Sequence, residues 1–347
     1  MIRNLNTKQL KISSKTLIGS LFVLITLAST CGGPNKDRVL KLAHGLDPNH
    51  SVHLGMVYMG ERLAEKSGGK LKLEIYPSQQ LGSERQCVEL LQIGSLAMTK
   101  VSSAVMEGFA PKYKVLSLPY IFKSKEHSYR VLDGEIGTEL LATGSDYWLR
   151  GLTFYDAGSR SFYTKDRPIM KPEDLAGLKI RVMKSPTAVN MIRAMGGSPT
   201  PISWGELYTA LQGGVVDGAE NNPPSFYLSH HYEVCKYYCI NEHTSIPDVL
   251  LVSTIIWDHL SDEEQRWLLE AAQESAVYQR VLWAESERES LKAVADAGVE
   301  VIYPPKEPFA ETVASIYKDY ENNPEIADLI KRIRAEEIND TLSKPIQ

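Results

Sequence analysis

Two arginines in the middle of the chain, Arg160 and Arg181, have the chemistry to bind a carboxylate. Arg181 belongs to an alternating run in which Leu178, Ile180 and Val182 fall on one face of a strand and the arginine on the other. A guanidinium stays charged at any biological pH and offers a planar fork of N–H donors that matches a carboxylate. Fixed in a cleft, such an arginine would select an organic acid. The alternative is an arginine exposed to water at a strand end, where charged side chains are most often found.

Further polar residues stand at the ends of predicted elements. Glu220 and Asn221 follow a helix that ends at the pair Gly213-Gly214. The amide of Asn221 can both donate to and accept from one ligand. His44 falls at the carboxyl end of the first predicted strand, which is where ligands of open α/β sheets bind. The alternative for His44 is a histidine with a purely structural role.

The elements that position these residues alternate between strand and helix. The first three strands are predicted at 39–44, 71–76 and 97–103, with helices between them. This alternation predicts an α/β fold with a mostly parallel sheet. Near the end of the chain, Ser261 and Glu264 form a capping-box pattern that opens a helix from 263 to about 297. That helix is far longer than the mean of about 11–12 residues in globular proteins.

The length of the chain predicts two lobes. About 310 residues remain after the N-terminal segment, which exceeds the usual size of one domain. Neither a low-complexity linker nor an internal repeat separates two halves. We therefore expect lobes that are woven together by chain crossings.

The N-terminal segment has the pattern of a secretory signal peptide over residues 1–30. It holds four basic residues and no acidic one, followed by an apolar core at 17–28 that is too short to span a bilayer as a mature helix. The following Cys31-Gly-Gly looks like a lipoprotein cleavage site, at which Cys31 would be acylated. The usual leucine three residues before the cysteine is replaced here by Ala28, and Leu27 stands one position earlier.

Charge and cysteine content exclude several classes of protein. Without the four basic residues of the signal segment, 34 basic residues face 43 acidic ones, a formal charge of about −9. Such a surface argues against nucleic acid or anionic lipid as a partner. The other cysteines, Cys87, Cys235 and Cys239, form no metal quartet and are interpreted as core thiols. We expect Cys235 and Cys239 on the same face of one strand, too far apart to bridge easily.

Three linked motifs surround the two arginines. They are Gly-x-Arg at 158–160, Asp-Leu-x-Gly-Leu-Lys-Ile-Arg at 174–181, and Ala-Leu-Gln-x-Gly-Val-Val-Asp-Gly-x-Glu-Asn at 210–221. Their order and spacing resemble those of the solute-binding proteins of TRAP transporters, the tripartite ATP-independent systems that import organic acids. The resemblance extends over residues 38–340. The segment 220–243 is similar to the branch of that family that handles uronic acids and diketogulonate.

The resemblance implies a two-lobed periplasmic-binding-protein fold with interwoven lobes, a ligand in the interlobe cleft and a long helix that crosses both lobes. Lobe I would comprise 38–157 plus 247–285, and lobe II 158–246 plus 286–340. The resemblance also assigns roles in the site. Arg181 would be the carboxylate anchor, Arg160 a second cation and Asn221 a polar clamp. Weaker candidates, for contacts with hydroxyl groups, are Glu84, His44 and Glu242. A first-turn acid such as Glu84 also favours the helix dipole without any ligand.

By the same resemblance, the protein would act outside the cytoplasm without a cofactor or metal, and would deliver its ligand to a small and a large membrane subunit. The expected ligand is a hexuronate such as D-glucuronate or D-galacturonate. The alternatives are 2,3-diketogulonate, sialic acid or another organic acid. A ligand-sensing subunit would use the same fold. An enzyme acting on sugar acids is a further alternative, since glutamates and histidines can do acid–base work, but no nucleophile motif, metal spacing or phosphate loop is present.

Overall fold

The computed structural model describes residues 38–343, with side chains as far as Glu336. The predicted signal peptide, residues 1–30, and the predicted lipidation site Cys31 lie outside the described residues. Within residues 38–343, no helix combines the length and the apolar character needed to cross a bilayer.

Eleven strands lie in the described part of the chain: β1 (Arg38–Ala43), β2 (Leu71–Tyr76), β3 (Met98–Ser102), β4 (Leu149–Tyr155), β5 (Arg160–Thr164), β6 (Lys179–Val182), β7 (Ser198–Pro201), β8 (Gly218–Asn221), β9 (Tyr237–Thr244), β10 (Asp248–Ser253) and β11 (Glu300–Ile302). The α-helices of the same residues are α1 (Ser51–Lys66), α2 (Glu84–Gln92), α3 (Ser103–Met106), α4 (Lys125–Asp133), α5 (Glu135–Ala142), α6 (Pro186–Ala194), α7 (Leu207–Gln212), α8 (Pro223–Leu228), α9 (His231–Val234), α10 (Thr254–Trp257), α11 (Asp262–Asp296), α12 (Glu307–Lys318) and α13 (Pro324–Ser343). Short 3₁₀ turns occupy Pro111–Ser117, Thr143–Tyr147, Pro172–Leu175 and Trp204–Glu206.

The strands form two sheets, which confirms the predicted α/β class. The first sheet has the order β2-β1-β3-β10-β4 and the second the order β11-β9-β5-β8-β6-β7. The expectation of mostly parallel sheets is confirmed, since β1, β3 and β4 run in one direction in the first sheet, and β6, β7, β8, β9 and β11 do so in the second. Strand β10 runs antiparallel to β3 and β4, and β5 runs antiparallel to β8 and β9. Both strands enter their sheet directly from the other sheet through a short connection, whereas a parallel neighbour requires a long crossover.

The chain passes between the sheets at three places. Residues 156–159 lead from β4 to β5, residues 245–247 lead from β9 to β10, and α11 leads on to β11. The hydroxyls of Ser159 and Ser245 lie 3.0 Å apart and join the first two crossings. The chain is therefore woven between two sheets. The predicted lobe limits, 38–157 plus 247–285 and 158–246 plus 286–340, stay a prediction.

The long helix α11 packs against elements that carry both sheets. It begins with the capping box of Ser261 and Glu264, as predicted, and contacts α1 on one side and α8 on the other. Leu268 near its start joins the apolar core under the first sheet, and Val294 near its end joins a core under the second. The buried Gln279 donates through Nε2 to the carbonyl of Asp156 at 2.8 Å and accepts from its N–H at 3.0 Å. One rigid helix thus holds the first crossing through two hydrogen bonds.

The three thiols of the described residues are free and buried, as their interpretation as core thiols requires. Burial raises the pKa of Cys235 to about 12 and the pKa values of Cys87 and Cys239 to about 11. The placement of Cys235 on a strand with Cys239 is wrong. Its N–H bonds to the carbonyl of His231 at 2.8 Å and closes helix α9, so that the strand begins only at Tyr237.

The contact between α1 and α11 generates a test of stability. A Cβ at Gly55 would stand 2.8 Å from Cβ of Gln279, an atom that side-chain rotation cannot move. We expect Gly55→Ala to lower the free energy of unfolding by about 1–3 kcal/mol because the helices must move apart. Gly60→Ala in the same helix is the matched control, since its new methyl would lie 3.3 Å from Leu73 and should cost less. Urea unfolding of the two variants gives the comparison, and equal losses would contradict the packing argument.

Candidate functional site

A cavity lies between the two sheets and contains about 900 Å³ of empty space, part of it open to solvent. Its walls come from strand ends of both sheets, from the two short crossings and from helix α11. The lining residues that matter for the chemistry are His50, Glu84, Lys100, Arg160, Arg181, Trp204, Asn221, Asp248 and Trp283. The predicted residues Arg160, Arg181, Asn221 and Glu84 are thus brought together in one cavity.

Arg160, the first residue of β5, is held almost entirely by the neighbouring strand β8. Its Nε donates to Oε2 of Glu220 at 2.5 Å, and its Nη2 donates to Oε1 at 2.9 Å and to the Glu220 carbonyl at 2.7 Å. Its Nη1 donates to Oδ1 of Asn221 at 2.6 Å. Only 6% of the residue is exposed. Burial acts to lower the pKa of Arg160, but the Glu220 carboxylate outweighs it and the pKa is raised.

Glu220 is ionised in this environment. Its burial would raise its pKa, but the charge of Arg160 and a contact from His243 Nε2 at 3.5 Å bring the pKa down to about 2. His243 stacks on Phe162 with ring centroids 4.4 Å apart and contacts Asn241 Oδ1 through Nδ1 at 2.9 Å. The Arg160–Glu220 pair is therefore formally neutral, and its contribution to the cavity is a fixed scaffold.

The same pair orients Asn221. Its Oδ1 accepts from Arg160 and, at 2.9 Å, from the N–H of Asn222. The hydroxyl of Tyr238 donates to the Asn221 carbonyl at 2.9 Å. Since the side-chain oxygen is already engaged, the amide Nδ2 is the group that Asn221 offers to a ligand.

Arg181 differs from Arg160 in having spare donor capacity. It is 2% exposed, and its Nε donates to the carbonyl of Ile202 at 2.9 Å. Its guanidinium carbon lies 5.8 Å from the ring centre of Trp204. Its Nη1 has no hydrogen-bond partner among the described residues. Burial lowers its pKa, although an arginine remains charged at any biological pH. A carboxylate in the cavity would supply both the missing acceptor and the missing counter-charge.

The opposite wall carries an ammonium between two carboxylates. Lys100 in β3 contacts Asp248 Oδ2 at 3.0 Å and Glu84 Oε1 at 3.3 Å. Burial would lower the pKa of Lys100, but Asp248 and Glu84 raise it. Glu84 also accepts from the N–H of Ser102 at 3.2 Å, and burial raises the pKa of Asp248. This wall offers carboxylate oxygens, which accept hydrogen bonds from hydroxyl groups.

Two predicted site residues lie outside the cavity lining. His44 contacts His53 Nδ1 through its Nε2 at 2.9 Å and accepts from the N–H of Leu46 through Nδ1 at 3.1 Å, so both ring nitrogens are engaged. Glu242 forms a surface ion pair with Lys306. It alternates along β9 with the buried His243, and its side chain falls on the outer side. Neither residue lines the cavity, and their assignment as ligand contacts stays a prediction.

Sequence reasoning missed Lys100 and Asp248. A signal was present, because each is a charged residue at or inside an otherwise uncharged strand segment, 97–103 and 249–257. It missed His50 and Trp283 as well. Among the described residues, no cluster of three or more histidine, cysteine, aspartate or glutamate side chains could hold a metal ion.

Comparison with known proteins gives one consistent result. The model of the bacterial extracellular solute-binding protein family 7 matches residues 42–323. An uncharacterised protein of Salmonella typhimurium, YiiZ, is 39% identical over 319 residues, which is 91% of this chain and 96% of that one. The crystal structure of a TRAP periplasmic solute-binding protein from a Bradyrhizobium species in complex with D-galacturonate is 41% identical, with a TM-score of 0.84 over 86% of this chain and all of that one. A similar protein from Roseobacter denitrificans with bound β-D-glucuronate is 38% identical, with a TM-score of 0.83 over 86% of this chain and 99% of that one.

The Arg160–Glu220 pair generates a prediction about stability and pH. We expect Glu220→Gln to lower the free energy of unfolding at pH 7 by about 3–5 kcal/mol, because it leaves Arg160 buried without a counter-charge. Since the pKa of Glu220 is about 2 in the folded state and 4.5 for an unperturbed glutamate, its contribution to stability is present above pH 4.5. This contribution to the free energy of unfolding amounts to about 3 kcal/mol and is lost as the pH falls towards 2.

Urea unfolding between pH 3 and pH 7 measures both effects. In the Glu220→Gln variant, the free energy of unfolding should lack the fall with pH that Glu220 causes below pH 4.5. Glu233→Gln is the control, because Glu233 is exposed and contacts His230 and Tyr208 at the surface. It should change stability by less than about 1 kcal/mol. A Glu220→Gln protein as stable as the control would contradict the role of the pair.

Proposed function

Because the chain belongs to bacterial extracellular solute-binding protein family 7, the solute-binding proteins of TRAP transporters, we propose that it captures a hexuronate and delivers it to the membrane subunits. D-Glucuronate and D-galacturonate are the proposed ligands. The observation that carries the proposal is the buried Arg181, whose Nη1 faces no acceptor among the described residues while it lines the cavity.

The polarity of the two walls supports a sugar acid over a simple acid. The Arg181 side would bind the carboxylate, with the Nδ2 of Asn221 beside it as a further donor. The opposite wall offers Glu84 and Asp248 as acceptors for hydroxyl groups, while Lys100 is already paired with both. A carboxylate oxygen can accept more than one hydrogen bond, so the hydroxyl groups of a ligand can still donate to Glu84 and Asp248, and a ligand without hydroxyl groups forgoes these contacts. The bound uronates of the solved relatives agree with this polarity.

Other acids are secondary candidates on the same mechanism. A 2,3-diketo-L-gulonate-binding protein of Escherichia coli is 28% identical to this chain and a sialic acid-binding protein of Vibrio cholerae 30%. Either ligand combines one carboxylate with several hydroxyl or carbonyl oxygens. Calorimetric titration with hexuronates, 2,3-diketogulonate, sialic acid and succinate separates them. Tighter binding of succinate than of every sugar acid would overturn the proposed ligand class.

The proposed role involves no chemical conversion of the ligand. Arg160 is paired with Glu220, and Lys100 with Glu84 and Asp248, while Arg181 keeps a donor without a partner among the described residues, an arrangement that suits binding of an anion. A sensing subunit is the competing role for the same fold. Recovery of unchanged hexuronate after incubation with the protein supports capture over catalysis. Loss of hexuronate uptake by cells when the two membrane subunits are deleted supports transport over sensing.

The place of action follows from the family, which is extracellular by description. Export by the segment 1–30 and acylation of Cys31 are parts of the proposal that concern residues outside the described structure. Mass spectrometry of the mature protein from membranes tests them. A lipid-modified N-terminal cysteine is expected, and an unmodified N-terminus at another residue would refute the anchor.

We also infer that the lobes close on the ligand by bending at the crossings 156–159 and 245–247. Small-angle scattering with and without saturating D-galacturonate should show a smaller radius of gyration in the bound state. An unchanged radius, with the free protein in an open shape, would contradict closure.

Arg181 provides the sharpest test of the proposed function. We expect Arg181→Ala to weaken binding of D-galacturonate by about 2–5 kcal/mol, which is thirtyfold or more, because the carboxylate loses its counter-charge. Arg181→Lys should also bind poorly, since an ammonium cannot supply the planar fork. Arg193→Ala is the control, because Arg193 is exposed on α6. Calorimetric affinities within a few fold of the unmodified protein for both Arg181 variants would refute the assignment.

A further inference from the structure

Two buried N–H donors line the cavity at the junction of helix α1 with helix α11. They belong to His50, which is 3% exposed, and Trp283, which is 0% exposed. Their ring centroids lie 5.8 Å apart at an interplanar angle of 52°. Neither His50 Nε2 nor Trp283 Nε1 has a hydrogen-bond partner among the described residues.

The capping contact of His50 with helix α1 determines which ring nitrogen carries the hydrogen. The N–H of Val52 donates to His50 Nδ1 at 3.2 Å, so Nδ1 is an acceptor and Nε2 carries the hydrogen of the neutral ring. Burial and the nearby charge of Lys100 lower the pKa of His50 to about 3, and the ring is neutral at pH 7. An indole nitrogen is always a donor. Two donors cannot satisfy each other, so the pair needs an oxygen from the contents of the cavity.

Both rings are held by the backbone around them. His50 is the N-cap residue of α1. Trp283 lies against Gly158, which has a φ of 57° and where a Cβ would come within 2.9 Å of the indole carbon Cζ2 and 3.0 Å of Nε1. Only a glycine fits both that conformation and that contact. The donors are therefore fixed in advance of any ligand.

We propose that His50 and Trp283 form a donor pair that binds the hydroxyl-bearing end of the ligand. The assignment rests on the proposed function, in which Arg181 takes the carboxylate. The donors are uncharged, and the remaining charges on this side, Glu84, Lys100 and Asp248, carry a net negative charge. A second carboxylate here would meet two acidic groups, whereas a hydroxyl can accept from the pair and donate to a carboxylate. The pair binds a hydroxyl at this end, while the carboxylates of Glu84 and Asp248 disfavour a second carboxylate there, so the two together select monocarboxylic sugar acids against the corresponding dicarboxylic ones.

Two substitutions each remove one of the two ring N–H groups. Trp283→Phe removes the indole N–H, and His50→Asn keeps a side chain that caps α1 while removing the ring Nε2. Each should weaken binding of D-galacturonate by about tenfold to a hundredfold in calorimetry, because a buried donor site is lost. Trp267→Phe, on the same helix and outside the cavity lining, should leave the affinity unchanged. Melting temperatures of the variants establish that they are folded.

An observation on the unmodified protein complements the variants. In ¹⁵N-labelled protein, the indole N–H resonance that disappears in Trp283→Phe should move downfield on saturation with D-galacturonate. A stationary resonance, or affinities of both variants within twofold of the unmodified protein, overturns the donor pair while leaving hexuronate binding intact. Failure of the unmodified protein to bind any hexuronate overturns the proposed function instead.

Discussion

The buried ion pair between Arg160 and Glu220 is the constraint on which the site depends. A guanidinium that is removed from water needs a full set of acceptors, and β8 supplies them through one carboxylate, one amide and one carbonyl. The pair locks β5 to β8 and fixes which end of the Asn221 amide faces the cavity. Because this charge is cancelled within the protein, our proposal assigns recognition of an anion to Arg181. In this proposal, the arginines of two linked motifs serve different purposes, one structural and one in binding.

Local patterns in the sequence predicted the elements better than their assembly. Alternation around Arg181 and the capping box at Ser261 both lead to the observed strand and helix, because each depends on neighbouring residues. The alternation of strand and helix predicted the mostly parallel sheets, but the antiparallel strands β5 and β10 depend on how the chain crosses between the sheets, which no local pattern records. Lys100 and Asp248 are 148 residues apart in the sequence, so their contact could not be inferred. His44 follows β1 at its end, as predicted, but its ring nitrogens are engaged by His53 and by the N–H of Leu46, and the residue is absent from the cavity lining.

The position of the cavity connects recognition with the path of the chain. Ala157 in the first crossing, Ile246 in the second and Asp248 at the start of β10 all line it. The long helix reaches the same place, with Trp283 in the lining and Gln279 bonded to the backbone of the first crossing. A ligand that contacts these residues touches the segments about which two lobes would turn. Contacts with the ligand would therefore form at the segments that must bend if the lobes close, so binding could stabilise the closed arrangement directly.

The burial of all three described thiols has a consequence for the redox chemistry of the chain. Thiolate is the species that attacks a disulfide, and pKa values of about 11 to 12 leave very little of it at neutral pH. A folded member of an extracellular family can therefore meet an oxidising environment without acquiring mispaired disulfides. The vulnerable period is the time before folding is complete, when Cys87, Cys235 and Cys239 are still accessible. Completion of folding, which buries the three thiols, thus protects them from oxidation without any disulfide among the described residues.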